Sequence, residues 1–260
     1  MIYYFSGTGN SYAVANALAS ALQEPLQDIS AAVKQNAYAC TLSEGERIGF
    51  VFPVYAWAPP EIVLDFIRKL ELHFKYDPYV FAVCTCGASA GKTIDFLENT
   101  LKEKGLQLNS GFSVVMPDNC ITIFKPESEA SIQKKLADAE KTILRIQKAI
   151  QLGKTDFFRV KRGKCSPILS HVVNPLFQKG GMKTNAFYVT DACIGCGLCE
   201  RICTGSCIKM TVGKPVWTED VCNMCLACLH RCPMTAVQYG KKTEKRVRYL
   251  HPIYQPKEEV

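Results

Sequence analysis

The chain has no apolar run approaching the roughly 18 residues that a membrane-spanning helix requires. No membrane span is therefore expected. Histidine is scarce: His73, His171, His230 and His251 are the only four, and they form no cluster in the sequence. That argues against a histidine-built metal centre. The apolar start Met1-Ile2-Tyr3-Tyr4-Phe5 is too short for the core of a secretion signal and has no basic flank. It reads as a buried strand. No G-x-G-x-x-G follows it, so a dinucleotide fingerprint is missing. Residues 87–93 approach a Walker A loop, but three residues separate Gly87 from Gly91-Lys92-Thr93 where four are needed. Nucleic-acid binding is not expected either, for want of a known motif or a basic platform interleaved with aromatics.

What the chain does have is cysteine, fourteen in 260 residues. With no export signal, that usage points to a reducing cytoplasm and to thiols kept free for metal. Eight of them carry the pattern. Cys193, Cys196, Cys199 and Cys203 have the spacing C-x₂-C-x₂-C-x₃-C, and Cys222, Cys225, Cys228 and Cys232 repeat it, with Pro233 following. This is the run of bacterial ferredoxins that hold two [4Fe–4S] clusters, in which the fourth cysteine of each run ligates the other cluster. Cluster one is thereby assigned to Cys193, Cys196, Cys199 and Cys232, and cluster two to Cys222, Cys225, Cys228 and Cys203. A zinc site seldom uses three cysteines at threefold spacing followed by a fourth.

The repeat runs beyond the ligands. Asp191 aligns with Asp220, Gly195 with Met224, Cys207 with Ala236 and Ile208 with Val237. Cys207 thus falls where the second copy has alanine, and reads as a packing residue. Cys203 is followed by Thr204 and not by proline, a departure at which the local turn is expected to differ.

The formal net charge of +7 is concentrated. Lys154, Arg159, Lys161, Arg162, Lys164, Lys179 and Lys183 crowd one stretch, and Lys241, Lys242, Lys245, Arg246 and Arg248 another. A solvated linker and tail is one reading. Docking of an acidic redox partner is the sharper one, because charge steers encounter.

Residues 1–152 alternate strand and helix. Strands are expected at 2–5, 26–30, 47–54, 79–85 and 112–116, and helices at 10–22, from Pro59-Pro60 onward, at 93–104 and at 128–152. Near-continuous apolar runs such as Ile48-Gly49-Phe50-Val51-Phe52 suit parallel strands buried on both faces. The alternation argues an α/β doubly wound sheet. In such sheets ligands bind beyond the carboxyl ends of the strands. There the loop Ser6-Gly7-Thr8-Gly9-Asn10-Ser11 leads from the first strand into the first helix. Its glycines allow close approach, its side chains offer hydroxyl and amide donors, and the helix N-terminus adds N–H groups and partial positive charge. It is a phosphate cradle without lysine, suited to a terminal monoester such as that of FMN.

On this loop the chain resembles the flavodoxins. In that family the loop holds the FMN phosphate and two later loops hold the ring. The matching second loop contains Pro53, Val54, Tyr55, Ala56 and Trp57, with Tyr55 or Trp57 able to stack; Trp57 is preferred. The third contains Cys86, Gly87 and Ala88, and lacks a tyrosine that many flavodoxins carry there. Taken with Phe52-Pro53-Val54-Tyr55, Met116-Pro117-Asp118-Asn119 and the two cysteine runs, the whole chain resembles a family of fused flavodoxin-like and ferredoxin proteins of anaerobes. The resemblance implies a flavodoxin-like doubly wound parallel sheet followed by a small α+β ferredoxin domain for two [4Fe–4S] clusters. It implies FMN and the two clusters as cofactors. The expected division is 1–152 for the flavin-binding domain, 153–185 for a basic linker with a helix near 168–180, 186–240 for the ferredoxin domain and 241–260 for a basic tail. The function expected is electron transfer between clusters and FMN, ending on a small acceptor at the flavin. The alternative is a carrier that hands electrons to a partner oxidoreductase or ferredoxin. No acid–base constellation is recognisable, and Cys84, Cys86 and Cys120 read as packing residues.

Overall fold

A computed structural model describes residues 1–252. Six parallel strands make one sheet: β1 (Ile2–Tyr4), β2 (Leu26–Asp28), β3 (Arg47–Pro53), β4 (Tyr79–Cys86), β5 (Leu108–Val115) and β6 (Phe157–Arg159), in the order β2-β1-β3-β4-β5-β6. Successive residues of a strand point to opposite faces, and both faces here are buried. Tyr3, Phe50, Phe52 and Ala82 pack on one side with helices α2 (Glu61–Lys69) and α3 (Thr93–Glu103). Ile2, Val51, Phe81 and Val83 pack on the other with α1 (Asn10–Leu22) and α4 (Glu129–Gln151). Cys84 is buried in the first of these cores, as its sequence context suggested. A short parallel ladder, Ala39–Thr41 with Glu71–His73, lies outside the sheet.

The strand expected at 26–30 ends at Asp28, whose side chain caps a helix over Ile29–Lys34, and two larger features also differ from the sequence reading. β5 begins four residues earlier than expected, because Asn109, Ser110 and Gly111 carry no apolar alternation although the pairing of Ser110 with Phe81 extends the strand. The sixth strand falls inside the stretch read as a linker. Its three residues pair with Ser110 to Phe112, and the chain beyond stays docked: Ala90 N–H donates to Lys161 O at 2.8 Å and Gly91 N–H to Arg162 O at 3.1 Å. Arg162 also meets the Asp95 carboxylate through two N–H groups. Part of the basic stretch is therefore edge structure, not solvated tether. A helical run, α5 at 166–181, follows, covering the helix expected near 168–180. Pro175 has no N–H to give in mid-run, and wide π turns, Leu169–Val173 and Phe177–Gly181, flank it.

The cysteine-rich remainder is built twice. Helices α6 (Leu198–Arg201) and α7 (Ala227–His230) are 29 positions apart, as are the starts of strands β8 (Ile208–Thr211) and β10 (Val237–Tyr239). β7 (Phe187–Val189) pairs antiparallel with β10, and β8 with β9 (Lys214–Trp217). The same offset relates backbone detail. Cys207 N–H donates to Cys203 Sγ at 3.2 Å, and Ala236 N–H to Cys232 Sγ at 3.3 Å. Cys225 and Ala227 join the core of the sheet face that holds α2 and α3. Among the described residues no helix is long and apolar enough to cross a membrane. The last eight residues of the expected basic tail lie outside the described residues.

Candidate functional site

The loops after β1, β3, β4 and β5 surround a cavity of about 610 Å³, within the usual range for a cofactor or ligand site. Ser6, Gly7, Thr8, Asn10, Ser11, Pro53, Val54, Tyr55, Ala56, Trp57, Cys86, Gly87 and Ala88 all line it. Gly9 stays out of the lining. It caps α1 at φ +100° and gives its N–H to Ser6 Oγ at 3.1 Å, so its role is to turn the backbone into the helix.

The loop side chains are tied down. Ser11 and Thr85 share a hydroxyl contact at 2.8 Å. Asn10 is committed at both ends: Nδ2 donates to Pro117 O at 2.9 Å, and Oδ1 accepts from Tyr249 Oη at 2.7 Å. Thr8 Oγ1 accepts from Asn119 Nδ2 at 2.7 Å, which leaves its own proton to donate. The N–H groups in the first turn of α1 have no acceptor one turn back within the helix, as in any helix. An anion in this cradle would meet backbone N–H groups, the Thr8 and Ser6 hydroxyls and the helix N-terminus.

The second loop is a tight turn. Ala56 and Trp57 both have left-handed backbone (φ +46° and +64°), and Tyr55 and Ala58 exchange both backbone hydrogen bonds. α5 holds it from outside: Ser170 Oγ donates to Trp57 O at 2.9 Å and Asn174 Nδ2 to Tyr55 O at 3.1 Å. Trp57 Nε1 donates to Ser89 Oγ at 3.1 Å. Both aromatics line the cavity. On the third loop, Gly87 is pressed on Asp118; a Cβ there would lie 2.9 Å from Oδ2. Burial pushes the Cys86 thiol up to about 11 and raises that of Cys120. Protonated thiols are poor nucleophiles, in keeping with packing roles.

Sequence reasoning left several contributors off the lining, chiefly the loop 116–124, α5 through Val173 and Phe177, the second cysteine run through Met224 and Leu226, and Tyr239 of β10. The motif at 116–119 and the odd Cys120 signalled the first; nothing local signals the others. The cysteine unit abuts the cradle directly. A Cβ on Gly7 would collide with the Cys225 carbonyl, so only glycine lets the two loops meet. His230 Nε2–H donates to Asn119 O at 2.9 Å, and Nδ1 accepts from Tyr249 N–H at 3.0 Å. Burial lowers its pKa to about 4, so the ring is a neutral two-sided bridge.

The eight run cysteines fall into two groups. Cys193, Cys196, Cys199 and Cys232 line one small cavity with Met210 and Met234. Cys203, Cys222, Cys225 and Cys228 form the other. Burial first, then the thiols of Cys225, Cys203, Cys222 and, from the first group, Cys199, holds Cys228 well above its ordinary value; burial with Cys225 and Cys203 brings Cys222 to about 12. Cys203 is lowered to about 6, chiefly by the hydrogen bond from Cys207. Thr204 Oγ1 donates to Cys225 Sγ at 3.2 Å, a bond that proline could not supply. Among the described residues, no three His, Cys, Asp or Glu converge as they would on a single metal ion.

Residues 1–120 match the family model of the flavodoxin domain. The N-terminal part of the chain is a flavodoxin-like domain. No curated protein matches the chain. Solved structures resembling it include a Bacteroides uniformis protein described as a flavoprotein, 17% identical, with TM-score 0.36, covering 44% of this chain and 88% of that one. Rubredoxin oxygen:oxidoreductase of Desulfovibrio gigas is 18% identical, with TM-score 0.33, covering 57% and 35%. A Streptococcus pneumonia flavodoxin is 16% identical, with TM-score 0.32, covering 55% and 97%. The cavity of the flavodoxin-like domain is thus closed by elements beyond residue 120, α5 and the second cysteine run.

Proposed function

We propose that this chain is an iron–sulfur flavoprotein, with FMN in the 610 Å³ cavity and one [4Fe–4S] cluster on each thiol group. The observation that carries the reading is the contact between the two parts: Cys225, in the second thiol group, packs its carbonyl on Gly7 of the phosphate cradle. Crowded buried thiols cannot all ionise unless cations lie among them, which favours iron in the second group. A cubane takes one thiolate per iron, so its ligands need not converge on one point. When bound, the clusters supply one-electron transfer, and FMN joins one-electron donors to two-electron acceptors.

The exposure of the two thiol groups favours one direction for this traffic. Cys196 is exposed and Ile194 beside it is 63% exposed, whereas Cys203, Cys225 and Cys228 are buried. An external donor such as a reduced ferredoxin meets the first group, and the second group adjoins the cavity. Trp57 and Tyr55 wall the ring site, and Thr8 and Ser6 hold the phosphate. The acceptor is a small organic molecule taking two electrons from the flavin and its protons from solvent. The second reading is a carrier that passes electrons to a partner oxidoreductase. The protonated state of Cys86 and Cys120 favours it, since neither offers a reactive thiolate.

Anaerobic reconstitution should give about eight irons and one FMN per chain. Zinc in place of iron, or flavin refused by the protein, sinks the reading. Stopped-flow reoxidation against a panel of small acceptors and proteins then separates enzyme from carrier.

A further inference from the structure

At two aligned positions a glycine of the first cysteine run is replaced in the second by a bulky apolar residue, and both of these residues border the flavin-site cavity. In the first run, Gly195 and Gly197 take left-handed backbone, at φ +71° and +72°. Glycine does so without steric cost. In the second run the equivalent residues keep that backbone, at φ +46° and +58°, yet they are Met224 and Leu226. A bulky side chain in this region is strained, and such strain clusters where function demands it. Both residues line the 610 Å³ cavity, and both are nearly buried, at 8% and 5% exposure. Neither Gly195 nor Gly197 lines the 610 Å³ cavity: Gly197 lines the small cavity of the first thiol group, and a Cβ on Gly195 would strike the Gly213 carbonyl at 2.8 Å. Met224 also touches the second thiol group. Its N–H donates to Cys222 Sγ at 3.4 Å, and its Sδ lies 3.6 Å from that sulfur.

We infer that Met224 and Leu226 are flavin-contact residues, an apolar wall built into the second cysteine run that seats the isoalloxazine ring against the second thiol group. The ring is a planar aromatic, and apolar and thioether side chains pack well on such a surface. The wall excludes water between thiol group and ring, and it fixes their separation because one residue touches both. The loop keeps this conformation despite its strain, with Met224 set between Cys222 and Cys225 and Leu226 between Cys225 and Cys228.

This inference rests on the reading that the cavity holds FMN, and the experiment keeps the two apart. The double variant Met224→Gly, Leu226→Gly restores the residues of the first run and relieves the backbone strain. It should keep wild-type iron content while its FMN dissociation constant rises at least tenfold, with flavin fluorescence less quenched. The exchange Met224→Leu, Leu226→Met keeps an apolar wall and should retain affinity within about threefold. If the double variant loses iron, Met224→Gly alone is measured, with the same expectation. Wild-type FMN uptake together with unchanged affinity and fluorescence in the glycine variants overturns the inference and leaves the cofactor reading standing. Equal losses in the glycine and exchange variants also overturn it. A wild-type chain that takes up no FMN overturns both.

Discussion

Thr204 and Cys207 sit one and four residues after Cys203, and their partners give them different roles. Thr204 Oγ1 donates to the Cys225 sulfur and accepts from Asn223 Nδ2, both at 3.2 Å. Cys207 gives its backbone N–H to Cys203 Sγ at 3.2 Å and its side chain also hydrogen-bonds that sulfur, while its thiol donates to Gly205 O at 3.2 Å. Cys207→Ala should therefore keep both clusters, because alanine preserves the N–H and occupies this place in the other copy. Cys203→Ala should cost about four irons. Iron and sulfide analysis checks the pair; the reverse pattern would make Cys207 the ligand. The repeat made Cys207 legible in the sequence. The reason for Thr204 was not, since it depends on Cys225 and Asn223, which only folding brings near. The strain at Met224 and Leu226, on the order of 1–2 kcal/mol for each residue, was invisible for the same reason, although the alignment of Gly195 with Met224 pointed to the place.

At the scale of elements, residues 246–251 act as a strap. Arg246 donates to Ile121 O, Tyr249 N–H to His230 Nδ1, Tyr249 Oη to Asn10 Oδ1, and His251 N–H to Thr8 O at 2.9 Å. The strap thus ties the second cysteine run, the loop 116–124 and the phosphate cradle together. Tyr249→Phe would leave the buried Asn10 oxygen without its donor, a loss of roughly 1–3 kcal/mol. FMN affinity should fall about tenfold, with secondary structure and iron content unchanged. A flavin titration giving wild-type affinity would mean the cradle holds its shape without the strap. The sequence showed this stretch only as a cluster of positive charge. Long periodic elements fared better: α1 runs Asn10–Leu22 and α4 Glu129–Gln151, close to the expected spans, because their apolar spacing is local information. β6 was missed because three residues amid basic neighbours carry no period; its pairing with β5 is what makes it a strand.

Across the whole molecule the proposed flavin site has no single owner. The flavodoxin-like domain supplies the cradle and three loops, α5 clamps the second loop, and the cysteine-rich unit supplies Met224, Leu226 and the Gly7 contact. Iron removal should then weaken flavin binding, although no cysteine of the two runs is needed for the phosphate cradle itself. Stepwise chelation under anaerobic conditions, with FMN affinity measured at each iron content, should show affinity falling as the second cluster is lost. Affinity independent of iron would make the two parts energetically separate. The strap also sets a clock. The 239 residues between Asn10 and Tyr249 take roughly ten to fifty seconds to translate. The sheet and its cradle can form early in that interval, yet Asn10 and Thr8 receive their last partners only when residues 249 and 251 have left the ribosome. If FMN occupies the cavity as proposed, its tight retention would therefore be withheld from a chain still being made.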